Sequence, residues 1–327
     1  MKKINIITVD NNGGLTRDAK ILKKVLQESG FKVSVFEVGK PTIAHKLHRI
    51  YTYGELFFSE KITKTPPYDI NLFLQDIIPA WFAYAKINCL IPNQEWFRDG
   101  CLQFLPKLDY ILCKTKYAQS IFNKLGCRTE FISFTSFDCW DKHQEKNYNQ
   151  FFHLAGSGSI QKGTKTIVDL WSRHPEWPPL ILRQNKKSFH VSVPNIEYIH
   201  DFLDDETLRK YQNTLGIHLC PSEAEGFGHY ILEAMSTKAL TLTTDAPPMN
   251  ELITPERGLL VGYHNTKPQR LGTNYYVDPQ NLEEKIEEVL AMSHQQRKEL
   301  AENARNWYLK NEQFFRQKLI TFLQELD

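Results

Sequence analysis

The 327-residue chain lacks any apolar run approaching the roughly 18 residues of a membrane-crossing helix, so no membrane span is expected. Its start, Met1-Lys2-Lys3, leads straight into Ile4-Asn5-Ile6-Ile7-Thr8-Val9, too short for the apolar region of a signal peptide and readable as a first β-strand. The six cysteines (Cys89, Cys101, Cys113, Cys127, Cys139, Cys220) include no C-x-x-C pair and no clustered histidine, which argues against a metal site. Together these features suggest a reduced, cytoplasmic setting. There is no internal repeat and no low-complexity tract. Net charge is only +2, yet residues 1–150 carry 21 Lys+Arg against 15 Asp+Glu, and the remainder 19 against 23. The basic half either faces an anionic surface or acceptor, or simply has unevenly solvated faces.

A chain of this length exceeds what one core usually serves, so two domains are expected. The opening reads as strand 4–9, a turn at Asn11-Asn12-Gly13-Gly14, helix 16–29 with Leu15, Ala19, Leu22, Val25 and Leu26 on one stripe, and strand 31–38. This βαβ unit specifies a parallel, doubly wound α/β sheet, and a glycine pair at the carboxyl end of its first strand lies where such sheets bind ligands. Residues 41–67 interleave apolar residues with His45, Lys46, His48 and Arg49; they form either a helix packed on the sheet or a basic amphipathic segment suited to peripheral contact with an anionic membrane. Strands follow at 70–74, 87–91 and 110–113. The rim segment Pro92 to Phe97 sets amides and a carboxylate beside two aromatics, which suits a carbohydrate as well as it suits a buried Trp96 and a solvated Glu95. The polar run 141–150 reads as the interdomain linker.

The second half opens with a strand at 151–155, the small-residue loop Gly156-Ser157-Gly158-Ser159-Ile160-Gln161, then Lys162 and a helix starting near Gly163. A lysine beside a helix N-terminus makes a phosphate cradle. Strands at 180–182, 196–199, 217–220 and 240–243 and helices at 281–292 and 295–326 complete the pattern. The most informative stretch runs Pro221-Ser222-Glu223-Ala224-Glu225-Gly226-Phe227-Gly228-His229-Tyr230-Ile231-Leu232-Glu233-Ala234-Met235. Two glycines let the backbone approach a bound molecule, and the amides of Phe227, Gly228 and His229 lie where a helix N-terminus favours an anion. Glu225 and Glu233, on either side of that turn, suit two parts of one elongated ligand; carboxylates accept from vicinal hydroxyls of a sugar and a ribose.

This block resembles the E-x7-E signature of retaining glycosyltransferases of the GT-B fold, in particular family 4 (group 1). The resemblance implies two Rossmann-like domains facing across a cleft: 1–147 on the acceptor side, 148–305 binding the nucleotide sugar, and 306–327 a terminal helix returning to the first domain. It implies Glu225 and Phe227-Gly228 on the transferred sugar, Glu233 on the ribose, and Lys162 with Gly163 on the diphosphate, so that Glu225 and Lys162 carry the chemistry. Gly13 and Gly14 would lie near the donor phosphates, and Asp201 and Phe202, after His200, in the loop receiving the base. Gly226, His229 and Tyr230 complete the donor loop. Ser157 stands where the family carries an arginine, and Arg183 is the candidate replacement. No histidine stands near residues 92–97 where many members have one; Asn93, Glu95 and Trp96 are the acceptor-side candidates. No D-x-D-like pair is present, so positive groups are expected to replace a metal. The implied reaction needs no cofactor beyond a UDP- or GDP-sugar and has a glycan, lipid-linked or protein acceptor, with no nucleic-acid partner. A GT-B nucleotide-sugar 2-epimerase and a non-catalytic sugar-nucleotide-binding protein are the alternatives.

Overall fold

In the computed structural model, the structure describes residues 1–11, 13–38, 65–156, 161–185 and 189–326. Most of the basic segment 41–67, and Ser157, lie outside the described residues. The chain forms two compact units, Met1–Phe134 with Phe314–Asp327, and Thr135–Gln313.

Unit 1 contains β1 (Lys3–Val9), α1 (Gly14–Glu28), β2 (Lys32–Val38), β3 (Tyr68–Leu74), β4 (Ala85–Ile91), β5 (Tyr110–Cys113), α2 (Lys116–Lys124) and β6 (Thr129–Phe131). The strands pair in the order β2-β1-β3-β4-β5-β6, all parallel. In β1 and β3 nearly every side chain is buried, as strands covered on both faces require. Helix α1 covers the sheet with the stripe expected from its sequence, adding Ile21 and, unexpectedly, Asp18 to the buried set. From β1 the chain steps to β2 on one side, and its later strands build outward from β3 on the other. The reversal lies between β1 and β3, where crevices open at strand carboxyl ends. Residues Phe314–Asp327 belong to this unit through ring contacts of Phe314 with Phe131, Phe315 with Phe134 and Phe322 with Tyr110.

Unit 2 begins with β7 (Asn147–Leu154), α3 (Thr164–Arg173), β8 (Leu180–Arg183), β9 (Ile196–Ile199), α4 (Asp205–Thr214) and β10 (Leu215–Cys220). It continues through α5 (His229–Ser236), β11 (Leu240–Thr244), α6 (Met249–Leu252) and β12 (Leu259–Val261). Its second sheet is also parallel, in the order β12-β11-β10-β7-β8-β9. One core gathers Phe151, Leu180, Leu182, Ile217, Leu219, Leu240 and Leu242 from the strands, with the paired positions 180/182, 217/219 and 240/242 alternating onto one sheet face, and Trp171 from α3. Here the reversal lies between β7 and β10: β8 and β9 extend one way, β11 and β12 the other.

Two features depart from the sequence reading. The division between units falls at Phe134/Thr135, ahead of the polar run 141–150, and Asn147 to Gln150 already form the start of β7. Segment 135–141 is fastened into unit 2: Arg305 donates to both carboxylate oxygens of Asp138 at 2.6 and 2.8 Å, Tyr308 Oη donates to Ser136 O at 2.9 Å, and Asn213 Oδ1 accepts from Asp141 N at 2.9 Å. Second, an antiparallel hairpin, β13 (Tyr263–Gln269) and β14 (Gly272–Val277), intervenes before α7 (Pro279–Ala291) and α8 (His294–Glu325).

Candidate functional site

In unit 2 the reversal point is flanked by the loops leaving β7 and β10, and both lead into helices that begin on a left-handed glycine. Gly163 (φ 64°) precedes α3 and Gly228 (φ 104°) precedes α5. A Cβ on Gly163 would sit 2.5 Å from the carbonyl oxygen of Pro221, so only glycine lets the two loops pass this closely. A Cβ on Gly228 would meet Leu252 Cδ1 at 3.0 Å. Neither helix has a side-chain cap or an acidic residue in its first turn. Elsewhere caps are present: Thr115 on α2, Asp204 on α4, with Asp205 and Glu206 following, and Asp278 on α7. Uncapped N–H groups and the positive end of the helix dipole suit an anion at α3 and α5.

Between these helix starts Lys162 and Glu225 form an ion pair. Their side chains retain 16% and 14% of their exposure, enough to meet a ligand. Ser222 Oγ donates to Glu225 Oε1 at 2.5 Å, lies 3.4 Å from Lys162 Nζ and is hydrogen bonded to the Tyr230 hydroxyl. The lysine ammonium stands 4.0 Å from the Tyr230 ring centroid. Burial raises the Tyr230 phenol well above its ordinary range, so it stays protonated at neutral pH. Behind the pair, buried His153 on β7 bonds Leu219 O through Nδ1 at 2.8 Å and Thr164 Oγ1 through Nε2 at 2.9 Å. A carbonyl can only accept, which places the proton on Nδ1. Burial, with Lys162 nearby, lowers this imidazole to about 4.

The other expected residues are distributed as follows. Phe227 is buried, with its ring 5.8 Å from that of His229, and Gly226 is buried beside it. Glu233 is also buried; its carboxylate accepts from Gln212 Nε2 at 3.0 Å and Ser136 Oγ at 3.3 Å, and His229 Nδ1 lies 3.2 Å from the same Ser136 Oγ. Arg183, at the end of β8, donates to Gly156 O at 3.0 Å, on the loop leaving β7. Asp201 is exposed and Phe202 is 86% exposed.

In unit 1, Gly13 precedes α1 and Gly14 is its first residue; this helix start also has no side-chain cap and no acid in its first turn. Asn93 is drawn inward: its Oδ1 accepts from Lys114 Nζ and its Nδ2 donates to Gln75 Oε1 at 3.2 Å. Lys114 in turn pairs with Asp18 at 2.9 Å. Glu95 is buried, whereas Trp96 is 47% exposed, the reverse of a buried Trp96 and a solvated Glu95.

Sequence reasoning passed over Ser222 and His153 as site residues, and over Lys114 as the partner of Asn93. Ser222 was findable, because a hydroxyl three residues before a site carboxylate on a tight loop is within its reach. The other two act across strands and carry no local signal. Among the described residues no group of three or more His, Cys, Asp or Glu could hold a metal ion, and no helix is long and apolar enough to cross a membrane.

The family model for group 1 glycosyl transferases matches residues 194–307. No curated protein sequence matches the chain. Among solved structures, the chain is similar to sucrose-phosphate synthase from Thermosynechococcus elongatus (TM-score 0.72, 13% identity, covering 100% of this chain and 99% of that one). It is similar to Anabaena HepE in complex with UDP and glucose (TM-score 0.70, 15% identity, 100% of both chains). It is also similar to WaaG, a glycosyltransferase involved in lipopolysaccharide biosynthesis (TM-score 0.61, 14% identity, 98% of this chain and 100% of that one). Two parallel, helix-flanked sheets place the chain in the fold class of these GT-B glycosyltransferases.

Proposed function

We propose that the protein is a retaining glycosyltransferase that moves a sugar from a nucleoside-diphosphate sugar to an acceptor hydroxyl without a metal ion. The observation that carries this reading is the partly exposed Lys162–Glu225 pair at the reversal point of unit 2, set between two uncapped helix starts. An activated sugar presents a diphosphate and a polyhydroxylated ring side by side, and the pair offers a cation and a carboxylate side by side. In this reading Lys162, Gly163 and the amides after Gly228 bind the diphosphate, Glu225 accepts from sugar hydroxyls, and Glu233, oriented by Gln212 and Ser136, takes the ribose.

Departure of the nucleoside diphosphate builds negative charge on its terminal phosphate. Fixed amides and an ammonium aimed at that position stabilise the charge as it forms, the role a divalent cation otherwise fills. The leaving phosphate oxygen is the base that takes the acceptor proton on the face it vacates, which gives retention. Asp201 and Phe202 are assigned to the base, and Asn93, Glu95 and Trp96 to the acceptor. HepE, solved with UDP-glucose, supports a UDP-sugar as the first donor to try.

A thermal-shift panel of UDP-, GDP-, ADP- and TDP-sugars tests the reading, because a ligand of the folded state raises the melting temperature with the logarithm of its saturation. One nucleotide series should stabilise the protein selectively, with transfer that persists in EDTA and a product of unchanged anomeric configuration. No stabilisation by any series would overturn the proposal. Formation of an epimer in the absence of acceptor would redirect it to an isomerase.

A further inference from the structure

We infer that Tyr230 and Ser222 are positioning residues that divide the site's work: Tyr230 sets Lys162 for the diphosphate, and Ser222 sets Glu225 for the sugar. The inference rests on the glycosyltransferase reading above and goes beyond it by giving two residues separable effects on the two halves of the donor.

A lysine ammonium is a compact charge on a flexible stem, so its direction must be imposed from outside. Here the Tyr230 ring centroid lies 4.0 Å from Nζ, while Glu225 pairs with the same ammonium. An aromatic face attracts a cation through its quadrupole and carries no net charge. Unlike a second carboxylate, it fixes the ammonium and leaves its charge available to an incoming oxyanion. Tyr230 is carried by the first turn of α5, which sets the position of its ring, and its hydroxyl bonds Ser222.

Ser222 is a fixed point for a different reason. It is fully buried, its carbonyl accepts from Thr244 Oγ1 at 2.6 Å, and its amide donates to Cys220 O at 2.8 Å. A hydroxyl has one proton to give. Donating it to Glu225 Oε1 makes Ser222 the acceptor toward Tyr230, so the chain of donors runs Tyr230 to Ser222 to Glu225. Losing the phenol hydroxyl leaves the Ser222–Glu225 bond in place. Losing the serine hydroxyl removes one contact that orients the carboxylate and leaves the ring under Lys162.

Titration calorimetry on the full chain separates these roles, using UDP, GDP and ADP and the corresponding glucose nucleotides, and carrying forward the series that binds most tightly. Tyr230→Leu should weaken the nucleoside diphosphate roughly tenfold, while Tyr230→Phe stays within about threefold of wild type. Ser222→Ala should keep the affinity for the diphosphate and lose turnover, with the donor KM little changed and kcat reduced roughly tenfold. Melting temperatures establish that each variant is folded; if Tyr230→Leu is not, the Phe and Ala variants still test the division. Equal losses in Tyr230→Phe and Tyr230→Leu, or a Ser222→Ala variant weakened for diphosphate and sugar alike, would overturn the inference. Wild-type protein that binds none of the six compounds would instead overturn the functional reading on which it rests.

Discussion

Each unit places a lysine–carboxylate pair beyond the carboxyl ends of its strands, and the two pairs differ in what surrounds them. In unit 1, Lys114 and Asp18 are sealed, with 2% exposure each, Asn93 on the ammonium and the Phe134 ring 5.3 Å away. In unit 2, Lys162 and Glu225 keep an open side, with a serine and a tyrosine holding their inner edge. The same two charges therefore have opposite uses. A sealed pair has given up its hydration and can only hold neighbouring segments in register, whereas a pair that keeps some hydration can exchange a partner for a ligand.

The largest effect that tests this contrast is on stability. Lys114→Met leaves the Asp18 carboxylate buried without its counter-ion, which should cost about 3–5 kcal/mol in urea unfolding. The double variant Lys114→Met with Asp18→Leu should recover most of that loss, since no charge is then left buried. A single variant as stable as wild type would break the comparison on the unit 1 side.

Next is Glu225→Gln, which keeps shape and removes charge. Turnover should fall roughly 10²–10³-fold, equivalent to about 3–4 kcal/mol of transition-state stabilisation, with a melting temperature close to that of wild type. A large stability loss with intact turnover would make this pair structural like the other.

A smaller effect belongs to His153, behind the unit 2 pair. Its folded-state value of about 4 lies below the ordinary histidine value of 6.5, so as pH falls below 6.5 the unfolded chain takes up a proton that the folded chain refuses. Stability from this group is present above pH 6.5 and declines toward pH 4, by on the order of 3 kcal/mol. His153→Gln should show a shallower loss of urea midpoint between pH 7 and 4.5. An unchanged slope would show that His153 does not set the acid sensitivity of this region.

The two units also differ in how far the sequence announced them. The parallel strands, the α1 stripe and the glycine turns into α3 and α5 rest on short-range pattern, and all are where that pattern placed them. The Lys114–Asp18 pair was not readable, because the residues lie 96 positions apart and meet only through the order of strands. The division between compact units at Phe134/Thr135 has no local marker: the run 141–150 is polar by composition, while Arg305, Tyr308 and Asn213 secure the segment before and at its start from far along the chain. In the donor loop, the reach from Ser222 to Glu225 and Tyr230 is short, and composition alone gave it no weight.

The hairpin β13–β14 shows the same limit and supplies the smallest test. Tyr263-His264-Asn265-Thr266-Lys267-Pro268-Gln269 is mostly exposed, with no apolar alternation, and its tight turn uses Arg270 at φ 51° rather than a glycine or asparagine. Strand signals depend on one buried face and on turn residues, and both are missing here. Yet the hairpin braces the unit 2 pair. Tyr275 N donates to Glu223 O at 2.7 Å, Glu223 N donates to Gln161 O at 2.9 Å, and Gln161 Nε2 donates to Asn274 Oδ1 at 2.7 Å, so the loops bearing Lys162 and Glu225 are joined to each other and to the hairpin. Asn274→Ala leaves the buried Gln161 amide without this acceptor and should cost about 1–2 kcal/mol of stability. Because Gln161 adjoins Lys162, the same variant should weaken nucleotide binding a few-fold. A stability loss with unaltered nucleotide affinity would mean that the hairpin steadies the fold without reaching the pair, and that Lys162 takes its position from Glu225, Ser222 and Tyr230 alone.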